Sequence, residues 1–222
     1  MRSREQRQRG PVPVAAGESP LMEWVEHTAG VEQAHYLLAD EPELLDGLFA
    51  EQHRVLRDKV ELLAASGLYD LIYLIENTST TLISVEQYRQ YCFQHIGDYA
   101  AVANAHDARL MLHMCGHLKA LLPLLSQLPV CGFEAFTSPT VGNTRLLDGR
   151  SACPDKCLIG GTNAALWMRP AQTIIDTIYA DLDALPHHRG IVMSSAGVLP
   201  QNCPPSTVKA VSDAIRAYPL RC

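Results

Sequence analysis

The sequence has no apolar run close to the roughly 18 to 20 residues that cross a bilayer, and its polar start lacks the apolar segment of a signal peptide. It also has no surplus of positive charge, since 18 Lys and Arg residues stand against 24 Asp and Glu residues, for a net charge of −6. Nucleic acids and anionic membranes bind basic surfaces. We therefore expect a cytoplasmic protein that binds neither nucleic acid nor membrane.

A disulfide framework is also missing, because the seven cysteines form an odd set with no repeating spacing. We expect free thiols, some of which act as metal ligands. The one basic cluster is the tip, residues 1–10, with four arginines in MRSREQRQRG, and we expect it to be disordered. Residues 11–222 are then interpreted as a single domain, which is an ordinary size for one hydrophobic core.

Apolar strands of four to eight residues alternate with helical patterns about six times along the chain. The patterns predict a long amphipathic helix over residues 42–66 that Gly67 ends, and a helix over residues 117–128. Ser19 with Pro20, Ser84 with Gln87 in a capping box, and Pro204 with Pro205 are predicted to open three further helices. Such alternation predicts a parallel sheet covered by helices, as in an open doubly wound sheet or a (β/α)₈ barrel. No GxGxxG or GxxxxGK[ST] phosphate loop supports the open sheet. The fold class predicted is therefore α/β of the TIM-barrel type. Because a full barrel has eight units, the chain is expected to lack the first one or two βα units.

Polar residues at the carboxyl ends of the strands are the candidates for chemistry, because parallel β/α folds place their sites there. The candidates are Glu76 and Asn77 after the strand at 68–76, His113 and Cys115 at the end of the strand that begins at Arg109, Asn163 after the strand at 156–161, Ser195 after the strand at 190–194, and Cys203 before the last helix.

His113 and Cys115 are two residues apart, so on a strand their side chains point to the same face. By spacing alone the pair is either a buried strand pair or half of a zinc site. Cys203 is the candidate third ligand, and a His/Cys/Cys set leaves one zinc position open for catalysis. Cys153 and Cys157 form a competing pair, with no second pair to complete a site.

Several segments together resemble the uroporphyrinogen decarboxylase superfamily, most of all its corrinoid-dependent methyltransferase branch. They are HMCGH, LIGGTNA, SSAGVLPQNCPPSTVKAVSDAIRAY and ENTSTTLISVEQY. The resemblance extends over roughly residues 11 to 218. It implies a (β/α)₈ barrel in which His113, Cys115 and Cys203 bind Zn²⁺.

The resemblance further implies an enzyme that moves a methyl group between a corrinoid (methylcobalamin) and a small thiol such as coenzyme M. The corrinoid would be carried by a separate partner protein. In this interpretation Glu76 is a fourth zinc ligand or proton acceptor. Asn77, Asn163 and Ser195 contact the substrate.

Two other functions stay open from the sequence. One is a metal-independent decarboxylase of a tetrapyrrole-like acid, although the arginine-rich segment of such enzymes has no counterpart after the tip. The other is a truncated, non-catalytic barrel, in which a partner or a second copy of the chain would cover the open edges of the sheet.

Overall fold

The computed structural model describes residues 10–221. The tip predicted to be disordered, residues 1–10, lies outside the described residues except for Gly10. Backbone contacts divide the chain into two compact units. The first unit contains the residues up to His113 and Gln127–Cys131, and the second contains Met114–Ser126 and the residues from Gly132 onward. The interpretation of residues 11–222 as one domain therefore stays a prediction.

The first unit has a parallel sheet of three strands, namely β1 (Pro13–Gly17), β2 (Leu71–Ile75) and β3 (Arg109–His113), in this order. In β2 and β3, Leu71 lies opposite Arg109 and Ile75 lies opposite His113. The apolar runs that predict these strands supply the core side chains of the sheet. The carboxyl ends of the three strands consequently form one edge.

The helices of the first unit are α1 (Pro20–Glu23), continued by a π-helical segment (Trp24–Thr28), α2 (Val31–Asp40), α3 (Pro42–Ala65), α4 (Val85–Tyr88), continued by a π-helical segment (Arg89–Phe93), and α5 (Gln94–Ala105). Helix α3 confirms the long amphipathic helix predicted over residues 42–66, and Gly67 ends it in the left-handed conformation with φ of 62°. Leu48 and Val55, which the apolar spacing assigns to the same face, are exposed. The buried face of α3 is therefore narrower than the face formed by all the apolar residues at helical spacing.

Two serines were predicted to cap helices, and the structure confirms only one of them. Ser84 and Gln87 form the predicted capping box at α4, with each side chain accepting from the other residue's backbone N–H. Helix α1 does begin at Pro20, but the Ser19 side chain makes no cap hydrogen bond. Its hydroxyl donates to Oε2 of Glu76 instead, a fully buried oxygen that would be costly to leave without a hydrogen bond.

The second unit contributes three parallel strands, in the order β4 (Gly132–Phe136), β5 (Cys157–Gly161) and β6 (Ile191–Ser194). Strands β4 and β5 approach each other very closely. A Cβ atom on Gly160 would lie 2.5 Å from the carbonyl oxygen of Phe136 and 2.6 Å from its nitrogen. Gly160 also has a φ of 146°, which side chains disfavour.

The helices of the second unit are α6 (Leu122–Leu125), α7 (Leu146–Ala152), α8 (Ala171–Asp183) and α9 (Pro205–Ala217). The helix predicted over 117–128 is shortened to a 3₁₀ turn and α6, with Pro123 in the first turn, where its missing N–H costs least. Helix α9 opens at Pro205, as predicted. None of the helices in residues 10–221 is long and apolar enough to span a bilayer.

Replacing Gly160 with alanine is expected to destabilise the second unit, because the new Cβ would collide with the β4 backbone. We expect a loss of at least about 2 kcal/mol in the free energy of unfolding, measured by urea denaturation. Gly47→Ala is the control, since Gly47 lies in α3 with nothing within 4 Å of an added Cβ. That change should stabilise by roughly 0.5 kcal/mol. Equal effects of the two substitutions would contradict this account.

Candidate functional site

Polar groups lie close together at the carboxyl ends of β1, β2 and β3. Glu76 and Asn77 follow β2, and both of their backbone N–H groups donate to the carbonyl of His113 at 3.0 Å. Glu18 follows directly after β1. The parallel arrangement therefore brings Glu18, Glu76 and His113 to the same edge, where β/α folds place functional residues.

Glu76 is completely buried and is held by one residue. The backbone N–H of Ser19 donates to its Oε1 at 2.7 Å, and the Ser19 hydroxyl donates to its Oε2 at 2.6 Å. Burial raises the pKa of Glu76 from 4.5 to about 7, and the two Ser19 donors offset part of that rise. Burial and the Glu76 charge also raise the pKa of the neighbouring Cys92 thiol. Glu76 thus positions the start of α1, and its predicted catalytic role stays a prediction.

Asn77 serves to hold a second carboxylate. Its backbone is left-handed, with φ of 44°, a conformation that asparagine tolerates better than most residues. Its Nδ2 donates to Oε2 of Glu26 at 2.9 Å. The substrate contact predicted for Asn77 remains a prediction, and the observed contact is with the protein itself.

Glu18, Glu26 and His27 form a cluster that the sequence analysis missed. One donor atom from each lies within 4.8 Å of the others. Nε2 of His27 is 3.1 Å from Oε1 of Glu18. Glu18 is not among the predicted site residues, although it follows the end of β1. Glu26 and His27 belong to a helix, and only the fold brings them to that edge.

The charges of this cluster act on one another. Burial raises the pKa of Glu26, and the Glu18 carboxylate adds to the rise, while the hydrogen bond from Asn77 lowers it. The charge of His113 lowers the pKa of Glu26 as well. The hydrogen bond with Glu18 raises the pKa of His27. The ionisation of Glu26 therefore depends on Glu18, Asn77 and His113 together.

The three predicted zinc ligands are distributed over both units. His113 is the last residue of β3 in the first unit, and its side chain is half-buried. Cys115 and Cys203 belong to the second unit and are half-buried cysteines that form no disulfide. The triad as a metal site stays a prediction.

Cys203 precedes α9 and lines an open hollow in the second unit of about 620 Å³, together with Leu199, Lys209, Asp213 and other residues. Ser195 lines a neighbouring hollow of about 350 Å³, and the two hollows share Leu199, Val208, Ser212 and Arg216. The two predicted residues Ser195 and Cys203 therefore open onto adjoining spaces.

Comparison with known proteins supplies the family. The model of the uroporphyrinogen decarboxylase family matches residues 23–218, a span that contains all three predicted zinc ligands. The chain belongs to the uroporphyrinogen decarboxylase family. No curated protein sequence matches it significantly.

Among solved structures, a methyltransferase from Methanosarcina mazei superposes with a TM-score of 0.71 at 18% identity, over 96% of this chain and 61% of that chain. At this identity the likeness concerns the fold. Together with membership of the uroporphyrinogen decarboxylase family, it confirms an α/β fold of the TIM-barrel type, with six described strands where a full barrel has eight. The chain spans about three fifths of that methyltransferase.

Asn163 occupies the predicted strand-end position of this family fold but is engaged internally. Its Nδ2 donates to Oγ of Ser138 at 3.0 Å and to the carbonyl of Pro139 at 2.7 Å, and its Oδ1 accepts from the N–H of Leu166 at 2.9 Å. The side chain is buried. Its geometry braces the loops after β4 and β5, and a substrate contact stays a prediction. Ser195 Oγ donates to the carbonyl of Gly197.

The competing pair Cys153 and Cys157 lies in an environment that favours neutral thiols. Burial raises the pKa of both thiols, and the nearby Arg150 offsets that rise only in part. Metal ligation requires the thiolate. Without a metal both thiols are therefore neutral, and the pair stays an alternative prediction.

Substituting Glu76 with glutamine tests the raised pKa. Because the pKa of Glu76 is higher in the folded state, the folded protein holds that proton more tightly, and stability falls as pH rises from about 4.5 through 7. Relative to Glu76→Gln, the wild type should lose on the order of 2 kcal/mol of unfolding free energy between pH 4.5 and 8. Urea denaturation across this range measures the difference.

The control is Glu86→Gln, which changes an exposed carboxylate in α4. Its stability should follow the wild-type pH dependence. Parallel pH profiles for Glu76→Gln and the wild type would show that the Glu76 carboxyl titrates normally, against this account.

Proposed function

We propose that the chain acts as a zinc-dependent methyltransferase, moving a methyl group between a corrinoid and a small thiol such as coenzyme M. The observation that carries the proposal is that the family match contains His113, Cys115 and Cys203, with His113 at the carboxyl end of a parallel strand. The fold likeness to a methyltransferase supports the same choice of reaction. The corrinoid would be bound to a separate partner protein.

The donors in this set suit Zn²⁺. Thiolate and imidazole are its usual protein ligands, and both cysteines are half-buried and form no disulfide. Two thiolates and one neutral imidazole balance the charge of the ion, so three residues of this chain could hold it without a buried excess of charge. Zinc, when bound, favours the thiolate form of a substrate thiol and leaves its sulfur nucleophilic.

Other charged residues accompany this set. His113 and Glu26 attract each other electrostatically, which lowers the pKa of Glu26. The position of Glu26 is in turn fixed by Asn77. In the second unit, the hollow beside Cys203 contains Lys209, Asp213 and Arg216. Its mixed charge suits a small polar substrate.

Zinc content is the direct test of this proposal. The purified wild type should contain one Zn²⁺ per chain by atomic emission, and Cys203→Ala should lose it, because two ligands do not retain the ion. The matched control is Cys131→Ala, which changes another half-buried cysteine outside any disulfide and should keep the zinc.

The same proteins are then assayed for methyl transfer from methylcobalamin to coenzyme M, followed by the absorbance of cobalamin. The wild type and Cys131→Ala should be active, and Cys203→Ala should lose at least about 100-fold in rate. Zinc retained in Cys203→Ala would overturn the ligand assignment. Zinc-loaded wild type that transfers no methyl group to any small thiol would overturn the proposed reaction.

A further inference from the structure

The cluster of Glu18, Glu26 and His27 has the structure of an incomplete coordination sphere. Glu18 follows β1, and the other two residues lie in the π-helical segment Trp24–Thr28. One donor atom of each residue lies within 4.8 Å of the others. All three belong to the first unit, and the cluster is separate from the cysteine ligands proposed above.

Each of the two carboxylates has one satisfied oxygen. Oε1 of Glu18 is paired with Nε2 of His27 at 3.1 Å, and Oε2 of Glu26 accepts from Asn77 at 2.9 Å. The other two oxygens, Oε2 of Glu18 and Oε1 of Glu26, are fully enclosed and have no hydrogen-bond partner among the described residues. The Glu18 side chain is only 10% exposed. Enclosed carboxylate oxygens without a donor are costly, and they are rare in native proteins.

The charges of the cluster also favour a bound cation. Two neighbouring carboxylates repel each other, and the Glu18 charge is one of the causes that raise the pKa of Glu26. His27 offers one positive charge for the two carboxylates, only when it is protonated, and its side chain is 54% exposed. A cation between the two carboxylates would pair both orphaned oxygens and remove the repulsion.

We propose that Glu18, Glu26 and His27 bind a divalent metal cation. The inference goes beyond the proposed function and does not depend on it. Two carboxylates and one imidazole suit Mn²⁺, Fe²⁺, Co²⁺ or Zn²⁺, whereas the cysteine set favours soft-ligand metals. Donor atoms bonded to one such ion at about 2.1 Å lie at most about 4.2 Å apart. The three donor atoms lie within 4.8 Å of one another, so small side-chain movements bring them to that spacing.

Manganese is the probe, because oxygen-rich sites bind it and thiolate sites do not favour it. Free Mn²⁺ is titrated by electron paramagnetic resonance against the full chain. The wild type should bind one equivalent, and Glu18→Gln, Glu26→Gln and His27→Ala should each weaken binding at least about 10-fold. The control is Glu32→Gln, an exposed carboxylate at the start of α2, which should bind as the wild type does.

Thermal unfolding shows whether a variant that binds no metal is still folded. Without metal, Glu18→Gln and Glu26→Gln should melt no lower than the wild type, since each removes carboxylate repulsion. Added Mn²⁺ should raise the melting temperature of the wild type and leave that of Glu18→Gln unchanged. Equal Mn²⁺ affinity in the wild type and Glu18→Gln, or an equal loss in Glu32→Gln, would overturn the proposal.

The two metal proposals can fail separately. Cys203→Ala should keep the Mn²⁺ site, and Glu18→Gln should keep the zinc. With Co²⁺, a thiolate site gives a near-ultraviolet sulfur-to-cobalt charge-transfer band, and a carboxylate–imidazole site gives none. Mn²⁺ binding that disappears in Cys203→Ala would place the ion at the cysteines and contradict a separate site.

Discussion

The hydrogen bonds between the enclosed carboxylate of Glu76 and Ser19 hold the first unit in its arrangement. They join the end of β2 to the start of α1 through two short contacts of 2.6 and 2.7 Å. Helix α1 leads into the segment that carries Glu26, and Asn77, next to Glu76, holds that carboxylate in turn. This series of contacts therefore starts and finishes at the carboxyl end of β2. A buried carboxylate is tolerated there because both of its oxygens have donors.

Local signals in the sequence were enough for most of the elements. The capping box at Ser84 and the prolines that open α1 and α9 act through neighbouring residues, and the structure confirms all of them. Helices α2 and α7 were not predicted. In α2 only Ala34 is buried, so its apolar period is weak. Helix α7 has seven residues, which are too few to show a helical spacing of apolar residues.

The site was less predictable, because its partners are distant in sequence. The rule that strand ends carry function pointed to Glu76, Asn77 and Asn163, and all three do lie at strand ends. Asn163 nevertheless bonds to a loop 25 residues away, and Glu76 bonds to a serine 57 residues away. Side-chain partners of this kind depend on the packing of the fold. For the same reason the cluster around Glu18 could not be found from spacing.

The central claim is that this member of the uroporphyrinogen decarboxylase family holds zinc through one imidazole and two thiolates. X-ray absorption at the zinc edge measures the ligand atoms directly in the loaded protein. The account predicts two sulfur atoms near 2.3 Å and at least one nitrogen near 2.0 Å. A spectrum with oxygen and nitrogen ligands alone would contradict it.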